Sequence, residues 1–204
     1  MIRVEGLTKS FGANQVLRGV DFEAPKATIT IVIGRSGGGK SVLLKHLIGL
    51  MRPDAGRVLI DGADITRLSG RALEQVELVG VGSKYPAEIS GGMRKRVAIA
   101  RALVTEPEII FFDEPTTGLD PILVNTIHRL IQSLHRKLHF TAVMVSHEIP
   151  EIFEIADRVA MLHEGRIVEA GPPDVIQAST NPVIRQFIRG EPELSAPDPT
   201  KRST

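Results

Sequence analysis

Eight residues in the first quarter of the chain have the composition of a phosphate-binding loop. Gly34 to Ser41 read G-R-S-G-G-G-K-S, which fits the pattern G-x-x-x-x-G-K-[ST]. Glycines have no Cβ, so the backbone can curl until successive N–H groups face one anion. Lys40 can then reach the β- and γ-phosphates of a nucleoside triphosphate, and the Ser41 hydroxyl can bind Mg²⁺. The residues predicted to hold the nucleotide are Gly34, Arg35, Ser36, Gly37, Gly38, Gly39, Lys40, Ser41 and Val42.

The segments on either side of this loop supply the structural context that the motif needs. Thr28 to Ile33 is a run rich in β-branched residues, which predicts a strand, and Val42 to Leu50 has apolar residues at helical spacing. The helix adds its positive N-terminal end to the anion site. The alternative is a glycine-rich turn that precedes a lysine by chance, and the flanking strand and helix argue against it.

Two adjacent carboxylates follow a second apolar segment. Ile109 to Phe112 is a short continuous apolar run, typical of a central parallel strand buried on both faces, and Asp113 and Glu114 come directly after it. Ligands of open α/β sheets bind at the carboxyl ends of strands. We expect Asp113 to hold Mg²⁺ and Glu114 to orient or deprotonate the attacking water. Without the phosphate loop, a solvated turn would explain the pair equally well.

A second glycine turn precedes another predicted helix. Ser90, Gly91 and Gly92 stand before an apolar pattern at helical spacing that runs to Val104, through Met93, Val97 and Ala100. One triphosphate does not need two such loops within one subunit. We therefore expect this turn to contact the nucleotide of a partner subunit.

Composition limits the class of protein. The 204 residues suit one large domain, or a core with a small appendage, and 42% hydrophobic with 24% charged residues is ordinary for a globular chain. A net charge of +1 indicates no field that would favour nucleic acid, and the lack of cysteine excludes disulfides and thiolate chemistry. No signal peptide or spanning helix is visible, so we expect a cytoplasmic chain that another protein holds at any membrane.

The remaining patterns predict two kinds of sheet. Alternation indicates antiparallel strands within the first 62 residues, whereas strands and helices alternate after residue 90, which favours a parallel, doubly wound sheet. The last residues, 191–204, contain three prolines and few apolar side chains, and we expect a disordered tail. The further predicted elements are strands Ile2–Glu5, Val16–Glu23, Arg57–Ile60 and Phe140–Val145, helices Pro121–Lys137 and Ile149–Ala156, a hairpin from Arg158 to Ala170, and two short helices within 173–189.

These motifs, in their order along the chain, resemble the nucleotide-binding subunits of ABC transporters. The resemblance covers residues 1 to about 190 and rests on the phosphate loop, Ser90-Gly91-Gly92, Asp113-Glu114-Pro115, Asp120 and His147. It implies an α/β fold: a P-loop NTPase core with a parallel sheet and helices on both faces, an N-terminal antiparallel β subdomain and a helical subdomain. It also implies ATP with Mg²⁺, a head-to-tail homodimer and transmembrane permease partners.

The resemblance also assigns roles outside the phosphate loop. Phe11 is then the aromatic residue that stacks on adenine, Thr117 to Asp120 contacts the other subunit, and His147 holds the γ-phosphate. Phe11 could instead cover a turn, and His147 could be a polar group at a strand end. The other histidines have no metal-like spacing, and we expect them on the surface: His46, His128, His135, His139 and His163.

Met93 stands where most members of the superfamily have glutamine. The resulting Ser-Gly-Gly-Met turn, together with Gly34-Arg35-Ser36-Gly37 and Phe112-Asp113-Glu114-Pro115, is similar to the ATPases of Mce/Mla-type lipid transporters. That similarity implies a permease pair, a lipid-binding Mce-type partner, and a position on the cytoplasmic side of a bacterial inner membrane.

One interval is shorter than the resemblance requires. Only 25 residues separate Asp64 from Ser90, whereas three helices of about 11 residues with their connections need roughly 40 or more. Gln75 lies in a helix-like run, so we do not assign it the role of the family's glutamine loop. The helical subdomain is thus predicted to be truncated. The readings are an ATPase that drives lipid transport, a shortened module that binds ATP without coupling to a permease, or an ABC ATPase acting on chromosomes or ribosomes.

Overall fold

The computed structural model describes residues 1–66 and 91–191, with backbone alone for 91–94. Ser90, Gln75, the shortened interval and almost all of the predicted tail therefore lie outside the described residues. The strands are β1 (Ile2–Phe11), β2 (Asn14–Ala24), β3 (Ile29–Ile33), β4 (Ala55–Ile60), β5 (Ala63–Asp64), β6 (Ile109–Asp113), β7 (Thr141–Ser146), β8 (Arg158–His163) and β9 (Arg166–Gly171). The helices are α1 (Lys40–Leu47), α2 (Gly91–Leu103), α3 (Pro121–Leu138), α4 (Pro173–Gln177) and α5 (Pro182–Ile188), with a 3₁₀ turn at Glu151–Glu154.

The two predicted sheets are both present. The N-terminal sheet is antiparallel, with the order β2-β1-β4-β5, and Phe11 pairs with Asn14 across its first hairpin. The second sheet has the order β6-β7-β3-β8-β9, in which β9 alone is antiparallel to its neighbour. Ile33 pairs with Ser146, and Asp113 with Val145, so the carboxyl ends of β3, β7 and β6 meet at one edge.

Alternate side chains of the parallel sheet enter two different cores. On one face, Ile31 and Met144 pack with Ile127 and Ile131 of α3, and helices α4 and α5 contribute to the same cluster. On the other face, Val32, Val143 and Val145 pack with apolar residues of α1 and of the antiparallel sheet. Helices therefore cover both faces, as predicted, and the antiparallel sheet shares one of them with α1.

The structure corrects two predictions about elements. Ile109 to Phe112 is not a central strand, because β6 lies at the edge of the described sheet, and only Ile110 and Phe112 of this run are buried. The predicted helix Ile149–Ala156 is a single 3₁₀ turn. Ile152 and Phe153 of this turn are both buried and belong to the core cluster on the α3 side of the sheet.

Burial contradicts one further prediction. The helix predicted before Val104 is present as α2, with Ile99 and Ala102 buried and Val97 48% exposed. His46 and His128 are buried at 2% exposure each, although we expected surface positions. Within residues 1–66 and 91–191, no helix has both the length and the apolar character needed to cross a membrane.

Candidate nucleotide site

The glycine loop connects β3 to α1 and is shaped by close backbone contacts. Gly34 has φ +153°, and a Cβ at this position would lie 2.3 Å from the carbonyl oxygen of Leu162 on β8. Gly39 has φ +97° and forms the N-terminal boundary of α1, where its carbonyl accepts the Leu43 N–H at 2.8 Å. Any other residue would be strained at these two positions. The loop is thus held against β8 at one end and begins the helix at the other.

Lys40 is enclosed by the loop that precedes it. Its side chain is 4% exposed, and Nζ donates to the carbonyl oxygens of Gly34 at 2.7 Å and Arg35 at 3.0 Å. The Nζ atom also lies 3.9 Å from Glu114 Oε1. Burial lowers the pKa of Lys40, and the Glu114 and Asp113 carboxylates oppose that effect. The ammonium group is therefore held at the centre of the loop and faces the carboxylates at the end of β6.

Ser41 and Asp113 form the predicted metal-binding pair. Ser41 Oγ donates to Asp113 Oδ1 at 3.2 Å, although 72 residues separate them along the chain. Hydroxyl and carboxylate oxygens suit a hard divalent cation. The described residues contain no cluster of three or more histidine, cysteine or acidic side chains that could enclose a metal. A cation held by the Ser41 and Asp113 oxygens would have its other positions open to water and phosphate oxygens, which is the coordination that Mg²⁺ favours.

Glu114 is the most constrained carboxylate of the site. Its backbone has φ +46°, and its N–H donates to the Val145 carbonyl at 3.1 Å. Its Oε2 accepts the Thr117 hydroxyl at 3.0 Å, and its Oε1 lies 3.3 Å from His147 Nδ1. The carboxylate is thus held by Thr117, in the turn after β6, and by His147, which directly follows β7. Such orientation is what a general base requires.

These groups line one cleft of about 630 Å³. That volume lies within the range of roughly 300–1,000 Å³ usual for small-molecule sites. Phe11, at the end of β1, is 48% exposed and borders the cleft, so its ring can contact a flat aromatic ligand. The lining residues are Phe11, Val16, Ser36, Gly37, Gly39, Lys40, Ser41, Val42, Asp113, Glu114 and Thr117.

Several predicted residues lie beside this cleft instead of lining it. His147 contacts Glu114 but lines a neighbouring groove, together with Arg35 and Ser36. Asp120 caps α3, where its Oδ1 accepts the N–H groups of Ile122 and Leu123 at 3.0 Å each. Gly34 and Gly38 belong to the loop without lining the cleft, and Gly91 and Gly92 begin α2.

Sequence reasoning missed two parts of the site. Val16 lines the cleft together with Phe11, and its place in an alternating strand predicted only a half-buried residue. Thr116 and Glu148 form a hydrogen bond behind Glu114 and His147. No motif marks that pair. Only their positions next to Glu114 and His147 along the chain could have indicated it.

The known proteins that this chain resembles in sequence are ATP-binding proteins of transport systems. A family model described as ABC transporter matches residues 17–81 and 69–117. The probable ribonucleotide transport ATP-binding protein Mkl of Mycobacterium leprae is 36% identical over 238 residues, covering 93% of this chain and 69% of that protein. The methionine import ATP-binding protein MetN of Rhodospirillum rubrum is 37% identical over 255 residues, covering 97% of this chain and 73% of that protein.

Solved structures give the same fold. A nucleotide-free ATP-binding cassette from an ABC transporter superposes with a TM-score of 0.78 at 23% identity, covering 92% of this chain and 98% of that chain. A dimeric ATP-binding cassette in a post-hydrolysis state, bound to ADP and Pi, superposes with a TM-score of 0.72 at 25% identity, covering 85% and 99%. Taken with the two relatives above 30% identity, these likenesses show that the chain belongs to the ABC transporter family, as an ATP-binding subunit with an ABC ATPase fold.

Proposed function

We propose that this chain binds ATP in the cleft beside Lys40 and hydrolyses it with Glu114 as general base. The observation that supports this most directly is the convergence of Lys40, the Ser41–Asp113 pair and the Glu114–His147 pair on one edge of the sheet. These residues come from three separate segments of the chain, and each supplies a different requirement of phosphoryl transfer.

The nucleotide is held by the loop and by the end of β1. The exposed Phe11 ring stacks on adenine, while the loop N–H groups and the start of α1 face the phosphates. Lys40 exchanges its contacts with the Gly34 and Arg35 carbonyls for phosphate oxygens. Ser41 and Asp113 would hold Mg²⁺, which would neutralise negative charge on the phosphates when bound.

Glu114 then acts on water. Its carboxylate accepts a proton as the water oxygen bonds to the γ-phosphorus and the bond from that phosphorus to the β,γ-bridging oxygen breaks. Thr117 and His147 orient the two carboxylate oxygens. His147 also contacts the γ-phosphate through the ring edge that does not face Glu114.

The Glu114→Gln substitution tests this assignment. The amide keeps the shape but cannot accept the proton, so steady-state hydrolysis should fall by about 10²–10⁴ while ATP affinity is retained. The matched control is Glu108→Gln, which removes an exposed carboxylate just before β6, the strand that Glu114 follows. Equal hydrolysis rates in parent and Glu114→Gln would contradict the role of Glu114.

We further propose that two copies share each site head to tail. Ser90, with the amides of Gly91 and Gly92, contacts ATP held by Lys40 of the other copy, and the Thr117–Asp120 loop lies between the subunits. Two observations support this: α2 begins at Gly91, so its N-terminal amides follow Ser90, and one similar cassette has been solved as a dimer.

For the transported cargo we propose lipid, moved with a transmembrane permease pair and a lipid-binding Mce-type partner at the cytoplasmic face of a bacterial inner membrane. The support is the Ser-Gly-Gly-Met turn, together with the sequences Gly34-Arg35-Ser36-Gly37 and Phe112-Asp113-Glu114-Pro115. The Mkl and MetN relatives are named instead for transport of ribonucleotide and methionine. Purification of the chain with its permease, followed by mass spectrometry of bound lipid and an ATPase assay in lipid vesicles, tests the proposal. Stimulation by ribonucleotide or methionine, without effect of lipid, would contradict it.

A shortened, non-coupling module is the second candidate. The alignment to Mkl has 238 positions. This chain contributes 93% of its 204 residues to it, or about 190, so Mkl has residues at roughly 48 positions where this chain has none. The two family matches also overlap at residues 69–81, inside the interval that we predict to be shortened. This candidate would be favoured if the chain binds ATP without hydrolysing it, and if insertion of the corresponding segment of Mkl restores hydrolysis.

A further inference from the structure

A partly buried polar contact lies directly behind the Glu114–His147 pair. The Thr116 hydroxyl donates to Glu148 Oε2; Thr116 is 1% exposed, and the Glu148 side chain is 19% exposed. A carboxylate with so little access to water needs partners that replace its hydration. Neither side chain lines the nucleotide cleft. The contact therefore has no direct part in the binding of ATP.

The positions of the two residues along the chain suggest what the contact does. Thr116 lies between Glu114 and Thr117, in the turn that follows β6, while Glu148 follows His147 at the end of β7. The Thr116–Glu148 bond thus joins the segment that carries the base to the segment that carries its histidine partner. The same two segments are also joined by the Glu114 N–H, which donates to Val145 O at 3.1 Å, and by the His147–Glu114 contact itself.

A third element faces the same carboxylate. His128 of α3 is 2% exposed, and its Nε2 lies 3.9 Å from Glu148 Oε2. Within the described part of the chain, neither ring nitrogen of His128 has a hydrogen-bond partner. Glu148 Oε2 thus accepts a hydrogen bond from the turn after β6 and has a buried imidazole of α3 as a second polar neighbour.

We infer that Glu148 is a positioning residue for hydrolysis, which acts through Thr116 and His147 to keep the Glu114 carboxylate aimed at the attacking water. The inference rests on the proposed ATPase function. Glu114 adopts a left-handed backbone conformation, which costs free energy and persists only where neighbouring contacts enforce it. Without the Thr116–Glu148 bond, the turn can relax and the base can move. A displacement of about 1 Å can cost roughly 10²-fold in rate.

Steady-state ATPase and calorimetric ATP binding on four variants of the full chain test the inference. Thr116→Val removes the donor and Glu148→Ala the acceptor, and both should lower kcat by about 10- to 100-fold with ATP affinity changed less than about twofold. Thr116→Ser keeps the hydroxyl and should retain at least about a third of parental kcat. Glu154→Ala removes an exposed carboxylate near His128 and should behave as the parent.

The outcomes separate this inference from the proposed function. A parent that hydrolyses ATP, with Thr116→Val and Glu148→Ala unaffected, would overturn the inference and leave the proposed function standing. Parallel losses of kcat and ATP affinity would also overturn it, because they indicate general damage, as would an equal loss in Glu154→Ala. A parent that binds but does not hydrolyse ATP would overturn both. If Glu148→Ala does not fold, the contrast between Thr116→Val and Thr116→Ser decides.

Discussion

Replacing Lys40 with methionine separates the requirements of binding from those of folding. Lys40 is 4% exposed, and its ammonium group donates to two loop carbonyls. Burial lowers its pKa, which means that the folded structure disfavours the charged form relative to water. Keeping the buried ammonium group charged therefore lowers the free energy of unfolding. The charge is useful because it binds the phosphates of the nucleotide. Methionine fills the same alkyl volume without the charge.

The two expected effects differ in size. A charge-assisted contact to phosphate is worth about 1.5–3 kcal/mol, so Lys40→Met should weaken ATP binding roughly 10- to 150-fold. The folded state loses two charged hydrogen bonds of about that same strength, but it also loses a desolvation cost of several kcal/mol. These contributions nearly cancel. We expect the free energy of unfolding to change by less than about 2 kcal/mol, which for a domain of this size is a Tm shift below about 8 °C.

Titration calorimetry with ATP and urea unfolding measure the two quantities on the same protein. The matched control is Lys45→Met, an exposed lysine later in the same helix, which should change neither. Unchanged ATP affinity in Lys40→Met would refute the assignment of the phosphate loop. Loss of more than about 4 kcal/mol of stability would refute the argument that the buried charge is costly, because it would show that the ammonium contacts outweigh desolvation.

Three other predictions follow from the geometry. Gly34→Ala places a Cβ 2.3 Å from Leu162 O and should lower the free energy of unfolding in urea by at least about 2 kcal/mol. Gly62→Ala, at φ +84° with open space around it, is the control that measures backbone strain alone. Equal losses of stability in the two variants would contradict the steric argument. Burial lowers the pKa of His46 and His128, so below pH 6.5 the unfolded chain binds more protons and stability should fall as pH decreases, by up to about 1.4 kcal/mol per pH unit for each histidine. His128→Gln should reduce that slope, and an unchanged slope by urea unfolding between pH 5 and 7 would contradict the prediction. Mixing Lys40→Met with Ser90→Arg chains should leave one nucleotide-sandwiched site per mixed dimer, detectable by photo-crosslinking of bound nucleotide between chains; no such site in the mixed dimer, with a parent that does dimerise with ATP, would refute the head-to-tail arrangement.

The secondary-structure elements that depend on residues close together along the chain are predicted correctly. The sequence predicts the strand before Gly34, the helix that follows the loop and the hairpin from Arg158 to Ala170, and the structure contains all three. In each case glycine or β-branched residues limit the backbone within a few positions, and no distant contact is needed to produce the element.

Burial could not be predicted in the same way. Helical spacing groups Val97 with Val104 and predicts the helix, yet both side chains are exposed while Ile99 and Ala102 are buried. His46 and His128 read as surface residues and are enclosed. A helical pattern shows which residues share a face, but the neighbouring elements decide which face is covered.

The sequence by itself determined the chemistry of this protein, because the phosphate loop and the carboxylate pair are local patterns whose residue types limit what they can bind. It also indicated which residues would act, from Lys40 and Ser41 to Asp113, Glu114 and His147. The tertiary structure alone decided that Ser41 lies 3.2 Å from Asp113 and that His147 lies 3.3 Å from Glu114. It likewise decided that Glu148 reaches Thr116 behind them. Those distances follow from the pairing of β6 with β7 and of β7 with β3, and strand order is set by contacts between segments far apart in the chain.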